Sequence, residues 1–178
     1  MAHIVGPSSG LANPLLLTEG DPTERRDRPR IVALMAADNT WVSTFAVTRE
    51  NVSAFCTATG TTHPLCRDPA AARAAGFPDV VAPPMFAAAY ALGAVNALQH
   101  DPAAGIDAAR AVHGAQSFRW SPDERVVAGD VVETTARVGA RTRRGTLELV
   151  EILTSSRIGE RWVCDGRWTA AVRSEGPS

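Results

Sequence analysis

Apolar residues recur at every second position in several stretches of the chain. In segment 161–172 they fall mostly at even positions, from Trp162 to Val172, and segments 132–138 and 41–47 alternate in the same way. Successive side chains of a strand point to opposite faces of a sheet. This period therefore predicts long strands, each with one buried face.

Glycines and one change of phase divide the strand-rich region. Segment 139–145 begins and ends with glycine, and Ile158-Gly159 follows the next apolar stretch. Both sites predict hairpin turns. Within segment 147–154 the apolar residues change parity midway, so we expect a β-bulge in that strand.

Two short helices are predicted before position 76. Thr48 precedes segment 49–59 and is a residue type that caps helix N-termini, and Gly60 follows the segment as a C-terminal stop. The Asp-Pro pair at 68–69 combines a capping residue with proline at the first helical position, which predicts a second helix over 70–75.

A third helix is predicted from Pro84 to Leu98, and it is apolar on all sides for about four turns. Such a helix must be enclosed by protein. Long one-sided strands can wrap it, which is the hot-dog arrangement of the α+β class. The open edges of a curved sheet also predict pairing into a dimer.

The chain length of 178 residues suits one domain with a sizeable core. We place this hot-dog domain at 39–174 and a short tail at 175–178. Segment 1–38 is rich in proline and glycine and carries a charged run at 24–30, so we expect a flexible N-terminal extension.

Composition excludes several functions. Hydrophobic residues make up 45% of the chain and charged residues 21%, and the formal net charge is −1. A net charge this close to zero does not provide the positive charge that binding to nucleic acid or to an anionic membrane requires. The sequence has no membrane-length apolar run and no secretory signal, so we expect a cytoplasmic protein. Its three cysteines have no metal-ligand spacing.

Three segments resemble the MaoC-like (R)-3-hydroxyacyl-thioester hydratases and dehydratases. They are GTTHPLC at 60–66, AARAAGFPDVVA at 71–82 together with the apolar helix that follows, and VAGDVV at 127–132. The resemblance covers roughly 41–173. It implies the hot-dog fold and a thioester substrate carried by CoA or an acyl carrier protein, with no cofactor and no metal.

The family's catalytic members use an Asp and a His for proton transfer, and backbone N–H groups at the start of the central helix hold the thioester oxygen. Here Thr61 stands at the family's Asp position, His63 at its Asn position and Cys66 at its His position. Pro83-Pro84 replaces His-Gly at the helix start, and proline has no N–H. The resemblance therefore implies no catalytic residue in this chain.

One subclass matches these departures. In the heterodimeric dehydratases of mycobacterial type II fatty-acid synthesis, and in FAS1-like dehydratase domains, one protomer lacks the pair and reads Ala-Pro at the helix start, as Ala82-Pro83 does here. By this resemblance the chain is the partner of a catalytic MaoC-like subunit and shapes its acyl channel. The implied substrate-binding residues are Pro84, Met85, Phe86, Ala88 and Ala89.

Alternatives remain open at this point. A dehydratase that works alone with a rearranged site would use His63 or Cys66 as its acid or base. A non-enzymatic protein would bind acyl thioesters without turning them over. The alanines of the central helix are equally compatible with an acyl channel and with tight packing of the helix on the sheet.

Overall fold

Six strands form one antiparallel sheet in this computed structural model, which describes residues 33–36 and 39–173. The strands are β1 (Ala33–Ala36), β2 (Thr40–Ala46), β3 (Ala111–Trp120), β4 (Val131–Arg144), β5 (Leu147–Ile158) and β6 (Arg161–Arg173). Their order across the sheet is β1-β2-β4-β5-β6-β3.

Four α-helices lie between β2 and β3. They are α1 (Arg49–Thr59), α2 (Pro64–Arg67), α3 (Pro69–Ala74) and α4 (Ala87–His100), and single 3₁₀ turns occupy Pro84–Phe86, Pro102–Ala104 and Ala108–Arg110. The predicted helices 49–59 and 70–75 are present as α1 and α3. The short α2 was not predicted, since it contains only four residues.

The central helix α4 lies against the inner face of the sheet, with most of its contacts to β2 and β4. Ala87, Ala91 and Ala94 are almost fully buried. These small side chains let the helix approach the sheet closely. One flank stays open, because Leu92 is 45% exposed. The prediction that protein encloses this helix therefore holds on the side that faces the sheet. On the flank that carries Leu92, no other part of the described chain covers the helix.

The predicted bulge in segment 147–154 is wrong. Buried residues alternate regularly along β5, and the extra residue lies in β4 between Val138 and Arg141, opposite Glu151. The parity change has a different cause. Leu149 and Leu153 are half-buried on the outer face of β5, so that strand carries apolar residues on both faces.

The predicted turn at 139–145 also begins too early. β4 continues through Gly139, and the chain reverses only at Gly145, which has a φ of 60°. The turn after Ile158 is confirmed, with Gly159 at a φ of 57°.

The N-terminal boundary of the sheet differs from the predicted boundary at position 39. β1 pairs with β2 and lies within the segment assigned to the extension. The rest of that extension and the tail at 175–178 lie outside the described residues. In the described ranges, no helix is long and apolar enough to cross a membrane.

β3 is the outermost strand beside β6, and most of its residues are exposed. Its exposed side chains include Val112 at 65% and Trp120 at 40%. Its outer backbone edge faces no other strand of the described sheet.

Candidate functional site

A half-open cavity of about 460 Å³ lies where the α1–α2 loop, the start of the central helix and the end of β3 meet. We call it the motif cavity, because Thr61, His63 and Cys66 all line it. Its other lining residues are Leu65, Val81, Ala82, Pro83, Pro84, Tyr90, Trp120, Ser121, Glu124, Arg125, Val126 and Val163. The structure thus gathers the three predicted family positions at one site.

Thr61 is held in the loop by its neighbours. Its hydroxyl lies 2.9 Å from the hydroxyl of Thr59, and its carbonyl oxygen accepts a 3.0 Å hydrogen bond from Nε of Arg67. The loop follows Gly60, which ends α1 in the left-handed conformation with a φ of 69°. A threonine hydroxyl does not titrate in the accessible pH range, so this position supplies hydrogen bonds and no proton equilibrium.

His63 serves as the N-cap of α2. Its Nδ1 accepts a 3.3 Å hydrogen bond from the backbone N–H of Leu65, and Pro64 occupies the first helical position. An Nδ1 that accepts a hydrogen bond carries no proton of its own, so Nε2 is the ring nitrogen that this cap leaves free. The imidazole lines the motif cavity while it performs this structural role.

Cys66 lies on α2 and is 8% exposed. Burial raises the pKa of its thiol, and the adjacent thiol of Cys56 raises it further. The thiol therefore stays protonated at neutral pH, where a histidine at the same place would exchange protons.

The helix start offers few free donors to the cavity. Pro83 and Pro84 have no N–H, and the N–H of Phe86 donates to the carbonyl oxygen of Pro83 at 2.8 Å. The carbonyl oxygen of Pro84 accepts a 2.9 Å hydrogen bond from the indole of Trp120. At Pro84 the cavity wall therefore contributes a backbone carbonyl group and no amide N–H donor.

The five predicted substrate-binding residues occupy different places. Pro84 lines the motif cavity, whereas Met85 is 45% exposed outside its lining. Phe86 is buried in an aromatic cluster whose ring centroids lie 5.3 Å away for Phe55 and 5.7 Å away for Phe45. Ala88 and Ala89 are half-buried against the core. Their binding role stays a prediction.

Tyr90 and Trp120 contribute to the cavity although no sequence motif pointed to them. Tyr90 is buried on α4, and that burial raises the pKa of its phenol strongly, with a smaller contribution from Cys164. Trp120 ends β3, thirty residues later in the chain. Only the tertiary fold brings these two residues to the loop at 61–66, so local patterns carried no signal for them.

The model of the family described as FAS1-like, dehydratase domain region matches residues 36–161. Among related sequences, a UPF0336 protein from Saccharopolyspora erythraea is 43% identical over 94 residues, which is 53% of this chain and 59% of that protein. One from Streptomyces griseus is 37% identical over 108 residues, covering 61% of this chain and 71% of that protein. The chain spans only about three fifths of the Saccharopolyspora relative and of one from Clavibacter michiganensis, at 59% and 62%.

Solved structures with the same fold include hydratases and dehydratases. The truncated HadBC (3R-hydroxyacyl-ACP dehydratase) complex from Mycobacterium tuberculosis has a TM-score of 0.63 at 20% identity, covering 78% of this chain and 99% of that chain. The R-hydratase PhaJ1 from Pseudomonas aeruginosa has a TM-score of 0.58 at 17% identity, covering 76% and 81%.

A third such structure is the ChsH1–ChsH2 complex from M. tuberculosis, with a TM-score of 0.56 at 19% identity, covering 83% of this chain and 90% of that chain. These likenesses confirm the predicted hot-dog fold. Together with the sequence match over 36–161, they identify the family. The chain belongs to the FAS1-like dehydratase domains of the MaoC-like hot-dog family.

Proposed function

We propose that this chain is a non-catalytic subunit of a heteromeric (R)-3-hydroxyacyl-thioester dehydratase. A MaoC-like partner with an intact Asp/His pair performs the chemistry. This chain stabilises the partner and shapes the channel that receives the acyl group from an acyl carrier protein or CoA. The proposal places the complex in the cytoplasm, in fatty-acid or polyketide-type synthesis.

The observation that carries the proposal is the state of Cys66 at the family's His position. The site needs a group that exchanges protons near neutral pH within reach of the substrate. Cys66 has a raised thiol pKa, and Thr61 at the family's Asp position does not titrate. The lining of the cavity thus has Thr61 and Cys66 where the family's catalytic members have their Asp/His pair.

The helix start supports the same assignment. Developing negative charge on a thioester oxygen requires preorganised donors. At the corresponding place this chain has Pro83-Pro84, and the carbonyl of Pro84 is directed to Trp120. An oxyanion beside that carbonyl would be repelled, so the geometry disfavours enolate stabilisation in this protomer.

The free edge of β3 supports a partner protomer. An edge strand presents unpaired N–H and C=O groups that can pair with another chain. A hollow of about 400 Å³ beside this strand is lined by Leu92 of α4 and by Val112, His113 and Gln116 of β3. Leu92 and Val112 are among the most exposed large apolar residues in the described chain. HadBC and ChsH1–ChsH2 are two-component complexes of this fold.

The test is reconstitution. The purified full chain is assayed for hydration of a crotonyl thioester, alone and after addition of a MaoC-like subunit with intact Asp and His. We expect no turnover by the chain alone, a heteromeric species in native mass spectrometry, and higher activity or stability of the partner in the mixture. Ordinary turnover by the chain alone would refute the proposal.

A dehydratase that works alone is the second candidate, because His63 lines the cavity and its Nε2 is not the capping atom. His63→Ala separates the two candidates. If His63 is the acid or base, this replacement abolishes turnover by the chain alone. If it is only the cap of α2, activity of the complex is retained and stability falls modestly.

A non-enzymatic acyl-thioester-binding protein is the third candidate. It predicts that the chain binds an acyl thioester yet forms no complex with any MaoC-like subunit. Native mass spectrometry with candidate neighbours, read alongside thioester binding by the chain alone, distinguishes this candidate from the first.

A further inference from the structure

Cys56 and Cys66 meet at the wall of the motif cavity. Cys56 lies on α1 and is fully buried, and Cys66 lies on α2 and lines the cavity. The thiol of Cys56 donates to the carbonyl oxygen of Cys66 at a distance of 3.9 Å, and the Cys56 thiol also raises the pKa of the Cys66 thiol. Two free thiols, 10 positions apart in the sequence, thus share one small site.

The loop between them creates this proximity. Gly60 ends α1 in the left-handed conformation, and the N–H of Thr61 donates to the carbonyl oxygen of Cys56 at 2.8 Å. His63 then starts α2, so that the chain reverses within a few residues. The two cysteines therefore lie on packed faces of consecutive helices.

We propose that Cys56 and Cys66 are a redox-active dithiol that a peroxide converts into an intrachain disulfide. The Cys66 thiolate attacks a peroxide oxygen, which gives a sulfenic acid and releases the first water. The Cys56 thiol attacks the sulfenic sulfur, the S–S bond forms and the second water leaves. The two thiols lose two electrons and two protons, and hydrogen peroxide is reduced to two waters.

Cys66 is the residue that reacts first. It is 8% exposed and lines a half-open cavity, whereas Cys56 is 0% exposed. Because burial raises the pKa of the Cys66 thiol, the thiolate fraction is small at neutral pH. The reaction is therefore slow at pH 7 and accelerates as the pH rises toward and above the ordinary thiol range.

The third cysteine serves as an internal control. Cys164 lies on β6, where its thiol contacts Tyr90 and the carbonyl oxygen of Asp165 at 3.5 Å. Burial raises the pKa of this thiol to about 11.

The disulfide between Cys56 and Cys66 would close the loop that carries Thr61 and His63, so oxidation would fix one wall of the motif cavity. This inference does not depend on the proposed function.

The experiment treats the folded full chain with hydrogen peroxide and then blocks remaining thiols with an alkylating reagent in denaturant. We expect one alkylated cysteine instead of three, a mass lower by two hydrogen atoms before alkylation, and a peptide that links Cys56 to Cys66. Cys164→Ser keeps this linkage, and Cys66→Ser abolishes it.

The peptide map of the unsubstituted chain decides the matter even if a cysteine variant fails to fold. Three alkylated cysteines after oxidation, a bond to Cys164, or a bond between two chains would overturn the inference.

Discussion

The indole Nε1 of Trp120 donates a 2.9 Å hydrogen bond to the carbonyl oxygen of Pro84. This bond ties the last residue of the edge strand β3 to the 3₁₀ turn that precedes α4. It joins the surface proposed for the partner to the wall of the motif cavity. This one contact therefore links the proposed partner surface on β3 to the shape of the cavity.

Trp120→Phe removes this hydrogen bond and keeps an aromatic ring. We expect the free energy of unfolding to fall by about 1 kcal/mol, the usual net value of one hydrogen bond. Urea denaturation measures the change. Val131→Ala is the control, since Val131 is 55% exposed and a surface change of this kind alters stability by less than about 0.5 kcal/mol. Equal stability of both variants would show that the bond contributes nothing.

A buried row of hydroxyls crosses the inner face of the sheet. Thr134 and Ser156 lie opposite each other on β4 and β5, and their hydroxyls are 2.9 Å apart. Thr134→Val leaves the Ser156 hydroxyl buried without this partner, so we expect a loss of about 1–3 kcal/mol in denaturant unfolding. Adding Ser156→Ala should restore part of that loss.

Ser43 provides the matched control for this row. It lies opposite Thr134 on β2, and among the residues that the structure describes its hydroxyl has no hydrogen-bond partner. Ser43→Ala is therefore expected to leave stability unchanged or to raise it. A loss as large as that of Thr134→Val would contradict this reading of the row.

Acid should weaken the contact between α1 and the loop after α3. Asp79 accepts hydrogen bonds from Arg49, which lowers the pKa of Asp79 to about 2 from an ordinary 3.8. The unfolded chain then binds more protons than the folded chain between these values. The Arg49–Asp79 ion pair therefore contributes fully to the stability of the fold above about pH 4, and this contribution is lost as the pH falls toward 2.

Thermal unfolding from pH 2 to 5 tests this dependence. Asp79→Asn should have a shallower dependence of melting temperature on pH than the unsubstituted chain. Asp123→Asn, which replaces an exposed carboxylate in the β3–β4 loop, is the control and should keep the original slope. If Asp79→Asn kept the same dependence of melting temperature on pH, the Arg49–Asp79 ion pair would have no part in the loss of stability in acid.

A charge on the edge strand should weaken the proposed complex. Val112 is 65% exposed on β3, and Val131 is 55% exposed at the start of β4. We expect Val112→Asp to raise the dissociation constant for the partner by about tenfold or more, since an unpaired charge would be buried. Val131→Asp should leave it unchanged. Equal effects of both variants would place the interface elsewhere.

Elements with strong local signals were predictable from the sequence. The capping box at Thr48 and the left-handed Gly60 define α1 within a few residues, because both act on their own helix. The alternation of apolar residues identified β6, where one face is largely buried against the core. The edge strand β3 gave no signal in the hydrophobic pattern, since most of its side chains are exposed and their burial has no period of two.

The candidate site was predictable in its loop and at the start of the central helix, where Pro84 lines the cavity as expected. Thr61, His63 and Cys66 are neighbours in the sequence, so a motif could reveal them together. Tyr90 and Trp120 reach the same cavity from α4 and β3, and only tertiary packing brings them there. Likewise, the bulge opposite Glu151 is a property of the pairing between β4 and β5, which neither strand's own pattern contains.

The central claim is that this chain contributes no catalytic group, and the most direct measurement is kcat of the reconstituted complex with one subunit altered at a time. A Thr61→Ala/His63→Ala/Cys66→Ser variant that still assembles should keep kcat within about threefold. Replacing the partner's catalytic Asp by Asn should lower it by about 10²–10⁴-fold, the usual loss of an acid or base. The opposite pattern, with activity lost in the variant of this chain and kept in the altered partner, would contradict the account.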